Sequence, residues 1–379
     1  MQVGVGFSST NNPRLDGRAA SEIAVQQSGR PVLTLLLTTD NYDQEDVLTA
    51  VKEVVGESKL VGACVPGIIA NLNLHERGVC VCAISGEGIE VVTHLEKGIS
   101  HSSYKKGEKA GEALLEKAGE SPGTVLVFPD GSAANISGLL RGFYNVMGPA
   151  FEYIGGGSGS NLSFEPTYQF TDEDISTDAL AIAVIKGINF RMSLGHGWKP
   201  VGEPLAVTKA KGRRVYELDG VPALDRYSAL IGLRDKNDEE AFSYYSMKYP
   251  LGLPAAGGEF IVRDPLKAEG DKSILFVTEV PQNTIATIMH AEVDDLVGAA
   301  EEVAQKVLEL PVAPKVLMIF DCVSRYLIMQ SAFSRELKAI ATKIKTPVPI
   351  IGALSFGEIS SISGIPLFYN KTIVAAAGW

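Results

Sequence analysis

The sequence predicts a mixed α/β (α+β) protein of two packed halves, built from repeated β-α-β-β units whose sheets mix parallel and antiparallel strands. Three observations carry that expectation. One pattern of strand, amphipathic helix, strand, turn and strand occurs three times. Apolar residues make up 45% of the 379, enough for a large core. Charged residues make up 21% and are interspersed, which sets disorder aside.

The first copy opens with the buried strand Val32 to Leu37. A helix follows with Val47, Leu48, Val51, Val54 and Val55 on one face and Gly56 as its stop. A short strand, Leu60 to Ala63, leads to a turn at Pro66-Gly67, and a strand from Val79 to Ile84 closes at Gly86. The second copy has Val125 to Phe128 as its strand and Ile136, Leu139, Leu140, Phe143 and Met147 as its helix stripe. Tyr153-Ile154-Gly155 then enters the turn Gly156-Gly157-Ser158-Gly159, and Leu180 to Ile185 is its last strand. The third has Val316 to Phe320, a helix lined by Met329, Phe333, Leu337, Ile340 and Ile344, then Ile350-Ile351-Gly352, the turn Ser355 to Glu358, and Thr372 to Ala377. Leu33 to Gly62 and Leu126 to Gly155 are equal separations. A crossover helix makes the first two strands of each unit parallel. The tight turn is expected to send the third strand back antiparallel.

Between copies two and three the pattern changes. Pro204 to Ala210 and Arg213 to Leu218 alternate around Lys211-Gly212, which predicts a hairpin. A helix opens at Pro222. Ser273 to Val280 and Thr284 to Met289 are expected to form a second hairpin. A long helix follows, with Val293, Leu296, Val297, Ala300, Val303, Ala304 and Val307 on one stripe and Pro311 as the stop. The division expected from this is 1–196 and 197–379, with the boundary near Gly195–Pro200.

The formal net charge of −11 disfavours nucleic acid and anionic membrane surfaces as partners. Cys64, Cys80, Cys82 and Cys322 show no metal-ligand spacing and read as reduced thiols, which points to the cytoplasm. The opening residues lack a signal-peptide pattern, and no stretch approaches the roughly 20 apolar residues that span a bilayer.

The residues match a family. Gly4 to Ser9, the Val61-Gly62 turn and the segment Gly195 to Gly202 resemble the N-terminal FIST domain. Val207-Thr208, Glu217 to Leu224, Pro250-Leu251-Gly252, Arg263-Asp264-Pro265, Phe320 to Arg325 and Gly357-Glu358 resemble the C-terminal one. The resemblance spans nearly the whole chain. It implies a sensory module in signal transduction that binds a small ligand such as an amino acid or related metabolite. The output would pass to a separate partner: a histidine kinase, a cyclic-di-GMP enzyme or a chemoreceptor. A subset of the family resembles haem proteins that sense nitric oxide, which is the alternative reading. Two departures stand out: the family's Cys-x-Gly-Arg reads Cys322-Val323-Ser324-Arg325, and Tyr249 stands where a histidine is expected before Pro-Leu-Gly.

Candidate ligand-binding residues follow from position and chemistry. Arg325 and Glu358 fall at the carboxyl ends of neighbouring parallel strands, where α/β sheets hold ligands. Together they suit an amino-acid zwitterion, or else form an internal ion pair. Arg263 and Asp264 read as a second polar clamp, or as a turn before Pro265. Cys322 reads as a thiolate next to a helix start, able to serve a cysteine-dependent enzyme, or as a small buried apolar residue. Gly156 and Ser158 sit in a turn that lets backbone approach a ligand; the lysine of a phosphate loop is absent there. A haem would need an axial ligand, for which His196 and His290 are the candidates against roles in local hydrogen bonding. His75, His94 and His101 are expected at the surface. No hydrolase, metalloprotease or kinase signature is present, so the expectation is a binding protein and not an enzyme.

Overall fold

The computed structural model describes residues 1–161, 167–235, 238–362 and 364–379. Three sheets repeat one strand order. The first unit comprises β1 (Gln2–Ser8), α1 (Pro13–Ser28), β2 (Leu33–Thr38), α2 (Gln44–Val55), β3 (Lys59–Cys64), the hairpin β4 (Gly67–Ala70) and β5 (Asn73–His75), and β6 (Val79–Ser85). The second comprises β7 (Glu90–Lys97), α3 (Ser103–Ala118), β8 (Gly123–Pro129), α4 (Ile136–Met147), β9 (Phe151–Gly156), the hairpin β10 (Gln169–Thr171) and β11 (Ile175–Ser176), and β12 (Ala179–Lys186). The third opens with β13 (Phe190–Gly195), is interrupted by an inserted lobe, and resumes after it.

The lobe contains β14 (Lys199–Lys211), β15 (Arg214–Leu218), β16 (Val221–Pro222), α5 (Ala223–Ile231), α6 (Glu239–Lys248), β17 (Leu251–Pro254), β18 (Phe260–Arg263), β19 (Pro265–Ala268), β20 (Ile274–Phe276) and β21 (Thr284–His290). The third unit continues with α7 (Val293–Leu308), β22 (Val316–Cys322), α8 (Val323–Met329), α9 (Phe333–Lys343), β23 (Ile350–Ser355), the hairpin β24 (Glu358–Ser360) and β25 (Leu367–Tyr369), and β26 (Ile373–Gly378).

The predicted parallel pairs form: β2 with β3, β8 with β9, and β22 with β23. The last strand of each unit lies antiparallel to the first strand of its pair. The turn after the second strand does something the pattern did not foretell. It launches a hairpin that leaves its own sheet. Hairpin β4–β5 joins β23, β10–β11 joins β3, and β24–β25 joins β9. Each unit therefore lends a hairpin to another unit, and the exchange closes into a ring of three. The inner faces of all three sheets share one core, in which Phe128 and Phe320 meet edge-on at 5.7 Å between centroids. Each fully buried Leu or Phe there contributes about 1.5–3 kcal/mol.

Helices cover the outer faces, and α1 and α3 precede pairs whose sequence pattern began only at the next strand. These helices carry small residues in place of a large apolar stripe. Ala20 and Ala24 of α1 lie so close to β1 that a Cβ on Gly4 would come within 2.0 Å of the Ala24 carbonyl oxygen. Gly107 of α3 meets the Leu139 carbonyl of α4 in the same way, at 2.0 Å. The third unit's crossover helix is also not continuous: α8 ends at Gln330, whose φ is +48°, and α9 starts afresh at Phe333.

The lobe's sheet runs β18-β17-β21-β14-β15-β20-β19. The hairpin at Lys211-Gly212 forms as β14–β15. The second expected hairpin does not. β20 pairs with β15 and β19, while β21 pairs with β14 and β17. Alternation fixes which face of a strand is buried, not which strand lies beside it. The expected division at 196/197 falls between β13 and β14, and β13 is hydrogen-bonded to β26 across it. Among the described residues no helix is long and apolar enough to cross a membrane. All four cysteines are buried free thiols.

Candidate functional site

The parallel pair β22–β23 ends at Cys322 and Ser355, and the lobe closes over these ends. Two buried charge clusters lie there. In the first, Arg325 is fully buried, so its partners decide what it can do. Its Nε is 3.0 Å from Asp321 Oδ1 and its Nη2 is 2.8 Å from Glu336 Oε2. Nη1 donates to the His196 carbonyl at 2.8 Å and Nη2 also to that of Leu296 at 3.1 Å. The expected pairing with Glu358 is absent. Glu358 accepts from Ser355 Oγ at 2.8 Å and from the Thr372 amide at 3.2 Å. Arg325 is thus an internal tie between β22, α7, α9 and the lobe's root, fully buried and already paired with two acids.

Two carboxyl groups share this one guanidinium, so the cluster holds protons. Burial, reinforced by neighbouring Glu336, pushes the Asp321 carboxyl well above the usual range, and Arg325 offsets only part of this. Burial also raises Glu358 well above it, against the hydrogen bonds from Ser355 and Thr372. Both Asp321 oxygens, Arg325 Nε and Glu336 Oε1 have no hydrogen-bond partner among the described residues, which fits a proton held on Asp321.

The second cluster contains a residue that motif reading passed over. Lys371 is fully buried, in the turn between β25 and β26, with φ at +55°. Its Nζ is 3.1 Å from Asp264 Oδ1, donates to the Met247 carbonyl at 2.8 Å, and lies 5.2 Å from the Trp198 ring centroid. The other Asp264 oxygen accepts from Ser324 Oγ at 2.9 Å. Burial raises the Asp264 carboxyl, opposed by Lys371 and Ser324. Asp264 and Met247 belong to the lobe, whereas Lys371 and Ser324 belong to the ring. This ion pair spans the seam between them. A sequence signal did exist: Asn370-Lys371 is a polar step immediately before a wholly buried strand.

Arg263 does not join Asp264 in a clamp. Its Nε donates to the Glu279 carbonyl at 2.9 Å, and its Nη1 to those of Val262 and Phe368 at 3.1 and 3.4 Å. No carboxylate lies within ion-pair distance of it among the described residues, and burial pulls its value down to about 10. Cys322 is buried, and burial, with Glu358 and Asp264 nearby, raises its thiol, which disfavours the thiolate. Gly156 pairs with Glu358 in the exchanged hairpin, where a Cβ would meet Ser355 Cβ at 2.8 Å. Ser158 is buried, with its Oγ 2.7 Å from Thr167 Oγ1 and accepting from Gln169 Nε2 at 2.7 Å. The glycine run therefore admits the neighbouring hairpin and Phe356 closely.

The histidines do not fit a haem. Nδ1 of His196 accepts from the Trp198 amide at 2.9 Å, and the Phe260 backbone is within hydrogen-bonding reach of the ring. His290 stacks on Tyr249 at 4.9 Å, with its nitrogens 3.3 Å from the Lys248 carbonyl and 3.0 Å from Glu292 Oε1. An open hollow of about 380 Å³ lies elsewhere, at the opposite strand ends, lined by Glu152, Phe190, Met192, Leu310 and Trp379 among others, with no His, Cys or Tyr in its lining. His75 stacks on Phe7 at 3.8 Å and His94 sits 3.4 Å from the buried Glu96, so of the three expected at the surface only His101 is exposed. Among the described residues no three His, Cys, Asp or Glu side chains group as a metal site.

The fold and seam define a ring of three α/β units carrying one inserted lobe. Models of the FIST N domain and the FIST C domain match residues 32–221 and 223–361, and the chain belongs to the FIST family, whose domains are sensory modules of signalling. An uncharacterized protein of Mycobacterium tuberculosis is 26% identical over 387 residues, covering 96% of each chain. One from Mycobacterium bovis is 26% identical over 386 residues, covering 96% of this chain and 95% of its own. One from Methanocaldococcus jannaschii is 22% identical over 345 residues, covering 85% and 66%. A Thermotoga maritima phosphoribosylformylglycinamidine synthase II structure aligns over 99% of this chain and 72% of its own, at 11% identity with a TM-score of 0.22, too low to carry an argument.

Proposed function

We propose that this FIST protein is a sensor of a small zwitterionic ligand, an amino acid or related metabolite, bound at the seam between lobe and ring. The carrying observation is the buried ion pair whose anion, Asp264, comes from the lobe and whose cation, the fully buried Lys371, comes from the ring. Burying two charges costs several kcal/mol per ion, and only good pairing offsets it. A zwitterion can replace each partner in kind, its carboxylate meeting Lys371 and its ammonium meeting Asp264. The lobe then settles in a different packing on the ring, and a separate signalling partner reads the change.

A thermal-shift screen of the amino acids at millimolar concentration tests this. At least one should stabilise the chain, since a ligand at a hundred times its Kd adds about 2.7 kcal/mol. Asp264→Asn should abolish the shift. No stabilising amino acid, or a shift that survives in Asp264→Asn, contradicts the reading.

A further inference from the structure

The geometry points to Lys371 as the residue that couples the seam to α6: its ammonium caps the C-terminus of that helix, and a ligand carboxylate that takes the ammonium leaves the helix uncapped. This rests on the seam being the ligand site. The last carbonyls of a helix lack partners within it, and the negative end of its dipole favours a cation there. In α6 three of the last four carbonyls are met. The Tyr245 carbonyl accepts from the Tyr249 amide, that of Met247 from Lys371, and that of Lys248 faces His290.

The rest of α6 is anchored mainly by Phe242, which enters the lobe's core with Ala241 and Tyr245 packed beside it. Of its ten residues only Phe242 and Ser246 are buried. Tyr244 is 58% exposed and begins a chain of ring contacts through Tyr245 to Tyr249, both half-buried against the lobe's core. The anchor is positioned at a cost, because a left-handed backbone is unfavourable for a residue with a Cβ such as lysine. Lys371 has two recipients for its charge, Asp264 and the α6 terminus. A carboxylate bound at the seam competes for the same ammonium, so binding there loosens α6 and its tyrosine-rich face.

Hydrogen exchange of the full chain, resolved by peptide, tests the coupling without a known ligand. Lys371→Met should speed exchange in α6 by roughly tenfold while the ring strands keep their protection. Asp264→Asn, which leaves the cap in place, should not. If Lys371→Met fails to fold, Lys371→Gln, which retains a donor without the charge, should show the same local loosening to a smaller degree. Sodium acetate, the probe for the carboxylate, should loosen α6 in the wild type relative to sodium chloride at equal ionic strength, and have no further effect in the Lys371 variant. An α6 that exchanges at the wild-type rate without the Lys371 charge overturns the coupling, even where an amino acid stabilises the chain. Acetate that leaves wild-type α6 unchanged overturns carboxylate as the competing group. Loosening by both routes with no stabilising amino acid upholds the coupling and removes the amino-acid reading alone.

Discussion

Arg325 holds Asp321 and Glu336 in a site where all three side chains are fully buried. Removing it strands two acids, so Arg325→Met should lower unfolding stability by about 3–5 kcal/mol in a denaturant titration. The acids also set a pH dependence. Asp321 and Glu358 keep protons in the folded state that they release when unfolded, because burial raises both. The folded state then binds more protons, and the stability these groups contribute is full below the ordinary carboxylate range and is lost as pH rises above it. Asp321→Asn should flatten that alkaline-side decline. Glu96 has the opposite sign: burial raises it, but Lys106, Lys109 and His94 prevail and hold it low, so its contribution is lost as pH falls. The placement of Arg325 and Glu358 at strand ends was legible in the sequence. Their separate partners were not, because Glu336 arrives from α9 and Thr372 from the far side of an exchanged hairpin. Lys371 was missed because a single lysine in a turn reads as solvated until its surroundings are known.

At the scale of elements, the glycines at the second strand of each pair explain why the repeat could be seen. A Cβ on Gly62 would lie 1.8 Å from the Leu36 carbonyl oxygen, one on Gly155 1.9 Å from that of Val127, and one on Gly352 2.5 Å from that of Ile319. Only glycine fits this approach, so the sequence marks the position each time. Gly62→Ala should cost about 1–3 kcal/mol or more through overpacking. Gly298, in α7 with open space at its Cβ position, is the contrast: Gly298→Ala should stabilise the protein by about 0.5–1 kcal/mol, read from the same denaturant curves. The helices α1 and α3 escaped the pattern because the residues they bury are mostly Gly, Ala and Ser, which leave no long apolar stripe.

For the whole molecule, ring closure is the feature no local pattern contains. Strand alternation specified the faces that became the common core, but the hairpins' destinations depend on contacts far apart in the chain. One consequence is that the first two units are incomplete alone. In a fragment of residues 1–196, β4 lacks β23 and β9 lacks β24, and the core loses Met318 and Phe320. That fragment should show no cooperative thermal transition by circular dichroism, whereas the full chain should show one.

Methyl NMR of protein labelled at its methionines reads the ligand's location most directly. Met247 supplies its carbonyl to Lys371 at the seam, and Met192 lines the hollow at the opposite strand ends. Titration with a stabilising amino acid should shift the Met247 resonance and leave Met192 in place. A shift at Met192 with Met247 unmoved would put the ligand in that hollow and contradict the seam.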